Sequence, residues 1–301
     1  MLRDRLPGRS WNEVRRLAET GKVRVNGAAV LDPAVRIDAT AEVTVDMAAP
    51  RPRVEVPGFR VTFEDVHLIV IEKPAGISSV PFERKETGTA LDLIRDHWRG
   101  RPRKQATATP LYTVHRLDKE TSGLLCFART RAAERGLHQI FQRHLATRAY
   151  LAVAHGAVAA ARIESHLLPD RGDGLRGSAR TARDLRAVRD AREGQHAVTH
   201  VEPIERLARA TVCRVRLETG RTHQIRIHLA ESGHPVVGDP VYSRDLLAAG
   251  GVPLPCDRML LHAATLGFDH PVTGERLDFT AVPPDDFARC LDRLKAEGRS
   301  T

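Results

Sequence analysis

Cysteine is scarce in this 301-residue chain, and its spacing excludes several classes of protein. The four cysteines, Cys126, Cys213, Cys256 and Cys290, lie far apart and form no C-x-x-C pair. They predict reduced thiols in a cytoplasmic protein rather than a zinc site or a disulfide framework. The chain also lacks a glycine-rich phosphate loop and an H-E-x-x-H motif, so neither a nucleotide cofactor nor a metal is expected.

Long hydrophobic runs are missing as well. No run approaches a membrane span, and the first five residues, Met-Leu-Arg-Asp-Arg, lack the apolar core of a signal peptide. Lysine and arginine number 47 against 38 acidic residues, giving a formal charge of +9. These totals predict a globular protein with one large and one small domain, no membrane attachment and a preference for polyanionic partners.

The first 48 residues predict a small helix-and-hairpin module with a basic rim. Ser10 and Glu13 have the spacing of a capping box, and Gly21 stands where a left-handed cap would end the helix. Asn26-Gly27 is a strong type I′ turn signal between two short strands, and residues 42–46 alternate like a third.

This order of elements, with Gly-Lys-Val-Arg-Val-Asn-Gly at 21–27, resembles the S-four-like RNA-binding domain, although the first helix is shorter than is usual there. The resemblance implies RNA binding, and a basic dimerisation or docking module is the alternative. Three prolines in residues 49–58 predict an extended linker. A large domain is then expected over residues 59–290, with a tail at 291–301.

Lys73 stands at the end of a predicted buried strand. The following Pro74-Ala-Gly76 fixes a tight bend, so the lysine lies where clefts form in folded domains. A solvated surface charge is the other interpretation of a lone lysine.

The segment from Thr113 to Ala128 carries the strongest concentration of reactive side chains. A polar stretch that includes His115, Arg116 and Asp118 runs into the apolar Leu-Leu-Cys-Phe-Ala, which predicts a turn feeding a buried strand. Asp118 would be dry enough there to react and exposed enough to meet a substrate. Alternatively, it accepts turn hydrogen bonds or pairs with Arg116.

Three further segments lie between the Asp118 segment and the next cluster of polar residues along the chain. Residues 148–154 predict a strand bearing Tyr150, which on its own is most simply a packing residue. Residues 160–197 have little pattern and many interspersed arginines, and they predict exposed loops and hairpin tips. Residues 210–218 alternate in polarity and predict a strand.

A turn that contains Gly220 and then a helix follow that strand. Gly220 would permit the sharp turn, Thr222 can cap, and residues 224–232 predict the helix. Arg221 then lies at the helix N-terminus, where free backbone N–H groups bind anions. It can equally hold a buried carboxylate, and Asp118 is the candidate.

Several separated motifs together resemble the RluA-type RNA pseudouridine synthases. They are Glu72-Lys-Pro-Ala-Gly76, His115-Arg-Leu-Asp-Lys-Glu-Thr-Ser-Gly123, Gly220-Arg-Thr-His-Gln-Ile-Arg-Ile-His228, Gly238-Asp-Pro-Val-Tyr242 and Leu261-His-Ala263. The resemblance spans residues 60–283 in the family's order. It implies an α+β fold, with a mixed, mostly antiparallel sheet, flanking helices and a central basic cleft. The implied activity is isomerisation of uridine to pseudouridine in RNA, without cofactor or metal.

The resemblance also assigns roles to residues. Asp118 would be the essential carboxylate, attacking either the uracil ring or the anomeric carbon of the ribose. Tyr150 would stack on the target base, and Arg221 would pair with Asp118 and keep it ionised. Arg116 would assist base flipping, and the substrate-binding set would be Arg116, His115, Lys73, Thr222, His223 and Gln224.

Two other functions are alternatives to this hypothesis. A catalytically silent RNA-binding or ribosome-assembly protein on the same fold is disfavoured by the intact Asp118, Tyr150 and Arg221. A glycoside hydrolase needs paired carboxylates, and Glu120 is the only acid near Asp118. The N-terminal module favours ribosomal RNA over transfer RNA as the partner, and the chain is expected to be a monomer.

Overall fold

The computed structural model describes residues 6, 8, 10–19, 21–30, 35, 37–38, 40–49, 59–82, 86–99, 110–179 and 194–297. The chain divides into two compact units, residues 1–55 and 56–301. Most of the predicted linker, the centre of the arginine-rich segment and the last four residues of the predicted tail lie outside the described residues.

The described part of the small unit contains one helix and a three-stranded antiparallel sheet in the order β2-β1-β3. Its elements are α1 (Trp11–Glu19), β1 (Val23–Val25), β2 (Ala28–Ala29) and β3 (Val43–Val45). The Glu13 carboxylate accepts hydrogen bonds from the Ser10 backbone N–H at 2.7 Å and hydroxyl at 2.8 Å. Asn26 and Gly27 both have positive φ, 51° and 80°, as a type I′ turn requires. The predicted capping box and hairpin turn are therefore confirmed.

The large unit contains an eleven-stranded sheet and, within the described residues, five α-helices. The strands are β4 (Arg60–Glu64), β5 (Leu68–Lys73), β6 (Tyr112–Thr113), β7 (Ser122–Ala128), β8 (Thr147–His155), β9 (Ala161–Leu168), β10 (Gly177–Ser178), β11 (Gln195–Arg206), β12 (Ala210–Leu217), β13 (Leu261–Asp269) and β14 (Arg276–Thr280). The helices are α2 (Ala90–Arg99), α3 (Arg131–Gln142), α4 (Gln224–Glu231), α5 (Arg244–Ala248) and α6 (Asp285–Glu297).

The main path of the large sheet runs β10-β9-β11-β12-β8-β13-β7-β5-β4, with β14 paired to β13 and β6 paired to β7. The β7–β13 pair is parallel, and the other described pairs in this sheet are antiparallel. The expected α+β class with a mixed, mostly antiparallel sheet is confirmed.

Strands β5 and β7 are mostly apolar, and helices pack against both faces of the sheet there. Alternate residues of a strand point to opposite faces. Accordingly, Ile69 and Ile71 of β5 pack in one buried cluster with Ile94 of α2. Leu68 and Val70 pack on the other face with α3 and its neighbours. This two-sided burial holds β5 and β7 rigidly and fixes the turn that precedes β7.

The interpretation of residues 160–197 as loops and hairpin tips is wrong for part of that range. Residues 161–168, 177–178 and 195–197 lie in strands β9, β10 and β11. Their polar side chains hid the pattern, because they form cross-strand pairs on an exposed face. For example, His196 Nε2 lies 2.8 Å from Glu164 Oε1.

The chain after residue 290 also differs from the predicted tail. Helix α6 continues to Glu297, and Leu294 is buried in one apolar cluster with Phe287 and Cys290. Residues 291–297 therefore belong to the packed unit. None of the described helices has the length and apolar character that crossing a lipid bilayer requires.

Candidate active site

Asp118 lies in the turn between β6 and β7, immediately before the buried strand begins. The turn closes through a hydrogen bond from the Thr121 backbone N–H to the Asp118 carbonyl oxygen, at 3.0 Å. The Asp118 side chain is 22% exposed and lines the cleft. A rigid strand therefore presents a partly shielded carboxylate to a cleft, as the sequence predicted.

Lys73 supports this turn from behind. Its ammonium group is fully buried and donates to three carbonyl oxygens, those of Pro74 at 2.8 Å, Ile77 at 2.7 Å and Lys119 at 3.0 Å. Burial lowers the pKa of Lys73 to about 7, against the opposing charges of Asp118 and Glu120. The predicted substrate-binding role of Lys73 is therefore wrong, because the side chain holds the backbone next to Asp118 and is not exposed to the cleft.

Arg226 is the arginine that pairs with Asp118. Its Nη1 atom lies 3.4 Å from Asp118 Oδ2. Its Nε and Nη2 atoms donate to the two carboxylate oxygens of Asp239, at 2.7 and 2.9 Å. Asp239 Oδ1 also accepts the backbone N–H groups of Val241 and Tyr242. The guanidinium is thus fixed in place by a second carboxylate before any substrate arrives.

The charges of this pair persist despite burial. Burial disfavours the charged form of Arg226, but the hydrogen bonds and charge of Asp239 outweigh it and hold the pKa above its usual value. Burial likewise opposes ionisation of Asp239, and the bonds from Arg226 outweigh it and lower the pKa of that carboxyl. Asp118 therefore faces a permanent positive charge at short range.

The predicted pairing of Arg221 with Asp118 is wrong. Arg221 is exposed, and its Nε donates to the backbone oxygen of His196 at 3.0 Å. The helix starts at Gln224, as predicted, and it is Arg226, in its first turn, that reaches Asp118. One signal for Arg226 is present in the sequence, namely a charged residue between two isoleucines. The structure buries all of the first six residues of this helix.

The three residues before and at the helix start have different environments. Thr222 lines the cleft. His223 is the N-cap, in the left-handed conformation with φ 58°, and its Nδ1 lies 2.9 Å from the Tyr242 hydroxyl. Burial is the main cause that lowers the pKa of His223.

The Gln224 side chain is fully used inside the protein. Its oxygen accepts from the Thr219 hydroxyl at 2.8 Å and from the Arg221 N–H at 3.0 Å. Its amide nitrogen donates to the Val198 carbonyl and the Thr199 hydroxyl, both at 2.9 Å. Gln224 therefore anchors the turn, and its substrate contact stays a prediction at a residue that lines the cleft. The predicted Thr222 cap is wrong, because the N-cap is His223 and no side chain caps the helix.

Tyr150 reaches the same cleft from another strand. Ala263 of β13 pairs with Gly123 of β7 on one side and with Tyr150 of β8 on the other. One strand therefore separates the strand that carries Tyr150 from the one that follows Asp118. Burial raises the pKa of Tyr150, and the charge of Asp118 adds to the rise. The phenol keeps its proton at neutral pH.

Two residues just before Asp118 have opposite environments. The His115 ring is stacked on Phe141, with centroids 4.6 Å apart, and its Nε2 accepts the Cys126 backbone N–H at 3.0 Å. Burial is the main cause that lowers the pKa of His115 to about 3. His115 is therefore a neutral residue that ties the turn to β7, and because its half-buried ring also lines the cleft, its substrate role stays a prediction. Arg116 is exposed and lines the cleft.

These residues surround one large cleft of roughly 1440 Å³. Its lining contains six basic side chains besides histidines, against the acids Asp118 and Glu86: Arg116, Lys119, Arg148, Arg176, Arg221 and Arg226. Among the residues described, no group of three or more potential ligands is arranged to hold a metal ion. The cleft therefore combines an anchored carboxylate, a tyrosine and a surplus of positive charge, which suits a nucleophilic reaction on an anionic molecule.

Comparison with known proteins gives consistent matches. A family described as RNA pseudouridylate synthase matches residues 67–231. The chain is 36% identical to the ribosomal large subunit pseudouridine synthase D of Zymomonas mobilis, over 97% of this chain and 91% of that protein. It is 34% identical to an uncharacterized RNA pseudouridine synthase of Bacillus subtilis, over 96% and 91% of the two chains.

The fold is also similar to solved structures. Human RNA pseudouridylate synthase domain containing 1 superimposes with a TM-score of 0.59 and 22% identity, covering 81% of this chain and 95% of that one. Human RNA pseudouridylate synthase domain containing 4 gives a TM-score of 0.57 at the same identity, covering 78% and 92%. At this identity the similarity concerns the fold alone.

Proposed function

This chain belongs to the RNA pseudouridylate synthase family and is an RNA pseudouridine synthase, and we propose that Asp118 is its nucleophile and large-subunit ribosomal RNA its substrate. The observation that carries the proposal is the chain of contacts from Asp118 through Arg226 to Asp239 at the floor of a basic cleft.

The ion pair suits the chemistry that pseudouridine formation demands. A carboxylate must be anionic to attack, and it must not be neutralised by burial. Arg226 supplies a positive charge at 3.4 Å, while its stronger contacts to Asp239 leave the Asp118 carboxylate free to move towards the substrate. The longer contact is the one expected to loosen when Asp118 forms a covalent bond.

The reaction is an isomerisation, so it balances without an added reactant. Asp118 attacks either the uracil ring or the anomeric carbon of the ribose, and the bond between that carbon and the base nitrogen breaks. The base rotates, carbon five of uracil joins the anomeric carbon, and the proton on carbon five leaves for the freed ring nitrogen by way of a base or solvent. Asp118 is released at the end, ready for another turnover.

Access requires the uridine to leave its base stack, at a cost of a few kcal/mol. Arg116 is exposed at the cleft beside Asp118, and we assign it to the space that the flipped base vacates. Tyr150 offers an aromatic face to the flipped base, and its hydroxyl keeps its proton because burial raises its pKa.

The ribosomal substrate is inferred from relatives. Proteins named ribosomal large subunit pseudouridine synthase D, from Zymomonas mobilis and Vibrio parahaemolyticus, are 36% and 34% identical to this chain over more than 80% of their lengths. We further propose that the small unit is an S-four-like module that adds RNA contacts through its basic rim. Its helix and hairpin carry exposed Arg15 and the half-buried Arg24.

A deletion strain tests the proposal. Pseudouridine mapping of total RNA from wild-type and deletion cells should reveal uridines of large-subunit ribosomal RNA that lose modification. A plasmid encoding the wild-type chain should restore them, and one encoding Asp118→Ala should not. Asp257→Ala is the matched control, because Asp257 is an exposed carboxylate that pairs with Arg293 and does not line the cleft. Restored modification with Asp118→Ala would refute Asp118 as the nucleophile. Loss of pseudouridine in transfer RNA alone would refute ribosomal RNA as the substrate.

A further inference from the structure

Arg148 is the half-buried arginine of the large unit that lacks a carboxylate partner in the described chain. Four other arginines with buried guanidinium groups each meet an acid: Arg129 with Glu64, Arg171 with Asp245, Arg226 with Asp239, and Arg258 with Asp286. Arg148 instead donates from Nη2 to the Glu218 backbone oxygen at 3.1 Å and lies over the Phe141 ring at 5.7 Å.

This environment leaves the charge of Arg148 poorly satisfied. Its Nε atom is buried without a hydrogen-bond partner. Burial lowers the pKa of Arg148, and the nearby charge of Arg221 lowers it further. A guanidinium removed from water without an acid partner costs free energy, which an anion from outside the protein would offset.

The position of Arg148 points to the substrate. It precedes Tyr150 by two residues on β8, so both side chains lie on the same face of the strand. Both line the cleft. A group bound by Arg148 would therefore lie next to the base stacked on Tyr150.

Gly220 makes room for this guanidinium. A Cβ atom at that position would lie 2.4 Å from Arg148 Nη1, which is far too close for contact. The backbone of Gly220 is not left-handed, so the turn itself does not require glycine there. This glycine, which the sequence suggested for a sharp turn, instead keeps open the space through which Arg148 reaches the cleft.

We propose that Arg148, admitted by Gly220, binds a backbone phosphate of the RNA next to the flipped uridine. The inference rests on the proposed function and adds one substrate contact to it. A guanidinium matches the planar oxygen pair of a phosphate, and its stacking on Phe141 fixes the plane in advance. Arg148 thus contributes to substrate binding rather than to the bond-making steps.

The test uses a synthetic stem-loop of large-subunit ribosomal RNA that contains a uridine modified by the wild-type enzyme. Two further versions carry an uncharged methylphosphonate in place of the phosphate on the 5′ or the 3′ side of that uridine. The variants are Arg148→Met, Arg148→Lys and Gly220→Ala. Arg214→Met is the control, since Arg214 is an exposed arginine of the same sheet that does not line the cleft.

Arg148→Met should raise KM by about tenfold, as expected for one lost charge-assisted contact, and leave the single-turnover rate at saturating RNA nearly unchanged. Arg148→Lys should recover part of the loss. Gly220→Ala should mimic Arg148→Met, because the added Cβ displaces the guanidinium of Arg148 from this position. The fold should be kept, since the atoms that must move are the flexible end of that side chain. For the wild-type enzyme, KM should rise by a similar factor on one of the two methylphosphonate RNAs. For Arg148→Met, KM on that RNA should be no higher than on the unmodified stem-loop.

Two results would overturn the inference. One is that the KM increases caused by Arg148→Met and by each of the two methylphosphonates are independent and additive. The other is an Arg148→Met defect that appears in the rate at saturating RNA and not in KM. An unchanged KM in Gly220→Ala would refute the role of the glycine. The same RNAs are compared by fluorescence anisotropy, so the phosphate contact is tested independently of turnover. Failure of the wild-type enzyme to modify ribosomal RNA would instead count against the proposed function.

Discussion

Arg226 Nη1 lies 3.4 Å from Asp118 Oδ2, while Nε and Nη2 of the same guanidinium donate to Asp239 at 2.7 and 2.9 Å. The two acids therefore use Arg226 unequally. Asp239 holds the arginine in place, and Asp118 receives its charge without being clamped. The charge is therefore oriented when the protein folds, and no free energy is needed to orient it during the reaction.

Replacing Arg226 should damage catalysis far more than replacing Arg221. Arg226→Lys keeps the charge but loses the fork that binds Asp239, so the charge is no longer fixed beside Asp118. We expect kcat to fall by about 100-fold, as for other displaced electrostatic groups. Arg221→Lys, the control, should stay within about threefold, because within the described residues the Arg221 side chain donates to a backbone oxygen and pairs with no acid. Single-turnover assays on ribosomal RNA transcripts measure both, and equal losses in the two variants would contradict this assignment.

Lys73→Met should destabilise the protein and slow the reaction. The variant leaves three buried carbonyl oxygens without their donor, so the free energy of unfolding should fall by about 2–3 kcal/mol. The rate should also fall, because the Lys119 carbonyl no longer fixes the turn that carries Asp118. Urea unfolding and single-turnover assays report the two effects.

The same lysine predicts a pH dependence. Its pKa is about 7 in the folded protein and 10.5 in a free lysine. Between these values the unfolded chain binds a proton that the folded protein has released, so the free energy of unfolding should rise with pH across this window. Lys73→Met should lack this component of the slope. A wild-type stability that falls from pH 7 to pH 9 relative to the variant would contradict it.

His115 predicts that stability also depends on pH in the acidic range. Because its folded pKa is about 3, against 6.5 when free, the unfolded chain takes up a proton below pH 6.5 that the folded protein excludes. Stability is therefore lost as pH falls. His115→Gln keeps an acceptor for the Cys126 N–H but cannot titrate, so its stability should decline less between pH 6.5 and pH 4. His138→Gln, on helix α3, is the control and should retain the wild-type slope, as measured by urea unfolding.

Gly123 should be intolerant of any side chain. It has φ +111°, and a Cβ atom would lie 2.3 Å from the backbone oxygen of Ala263. Gly123→Ala should therefore push apart β7 and β13 and cost about 4 kcal/mol or more. Gly274→Ala is a matched control, since Gly274 also has positive φ but open space around it, and should cost only about 1 kcal/mol. Similar melting temperatures for the two variants would show that the strands do not approach so closely.

Local features of the fold were predictable from the sequence, whereas contacts across the chain were not. The Ser10–Glu13 capping box and the Asn26-Gly27 turn depend on neighbouring residues and are present. The pairing of Asp118 with Arg226 joins positions 108 residues apart, so spacing alone could not decide between Arg221 and Arg226. Lys73 was misassigned for a similar reason, because its burial depends on three carbonyls converging from two turns.

The exposed strands were missed for a different physical reason. Strands β9 and β11 carry charged and polar side chains that pair along a strand, as Arg162 does with Glu164, or between strands, as His196 does with Glu164. An apolar alternation is therefore weak there, and the pattern resembles a loop. Conversely, β5 and β7 were predicted correctly because both of their faces are apolar and buried.

The most direct measurement is the single-turnover rate of Asp118→Asn on an unmodified large-subunit ribosomal RNA transcript. Asparagine keeps the shape of aspartate and can still accept from Arg226, so the fold should be retained, as checked by urea unfolding. If Asp118 is the nucleophile, pseudouridine formation should fall by at least about 1000-fold. A folded Asp118→Asn variant that works within about tenfold of the wild-type rate would contradict the central claim.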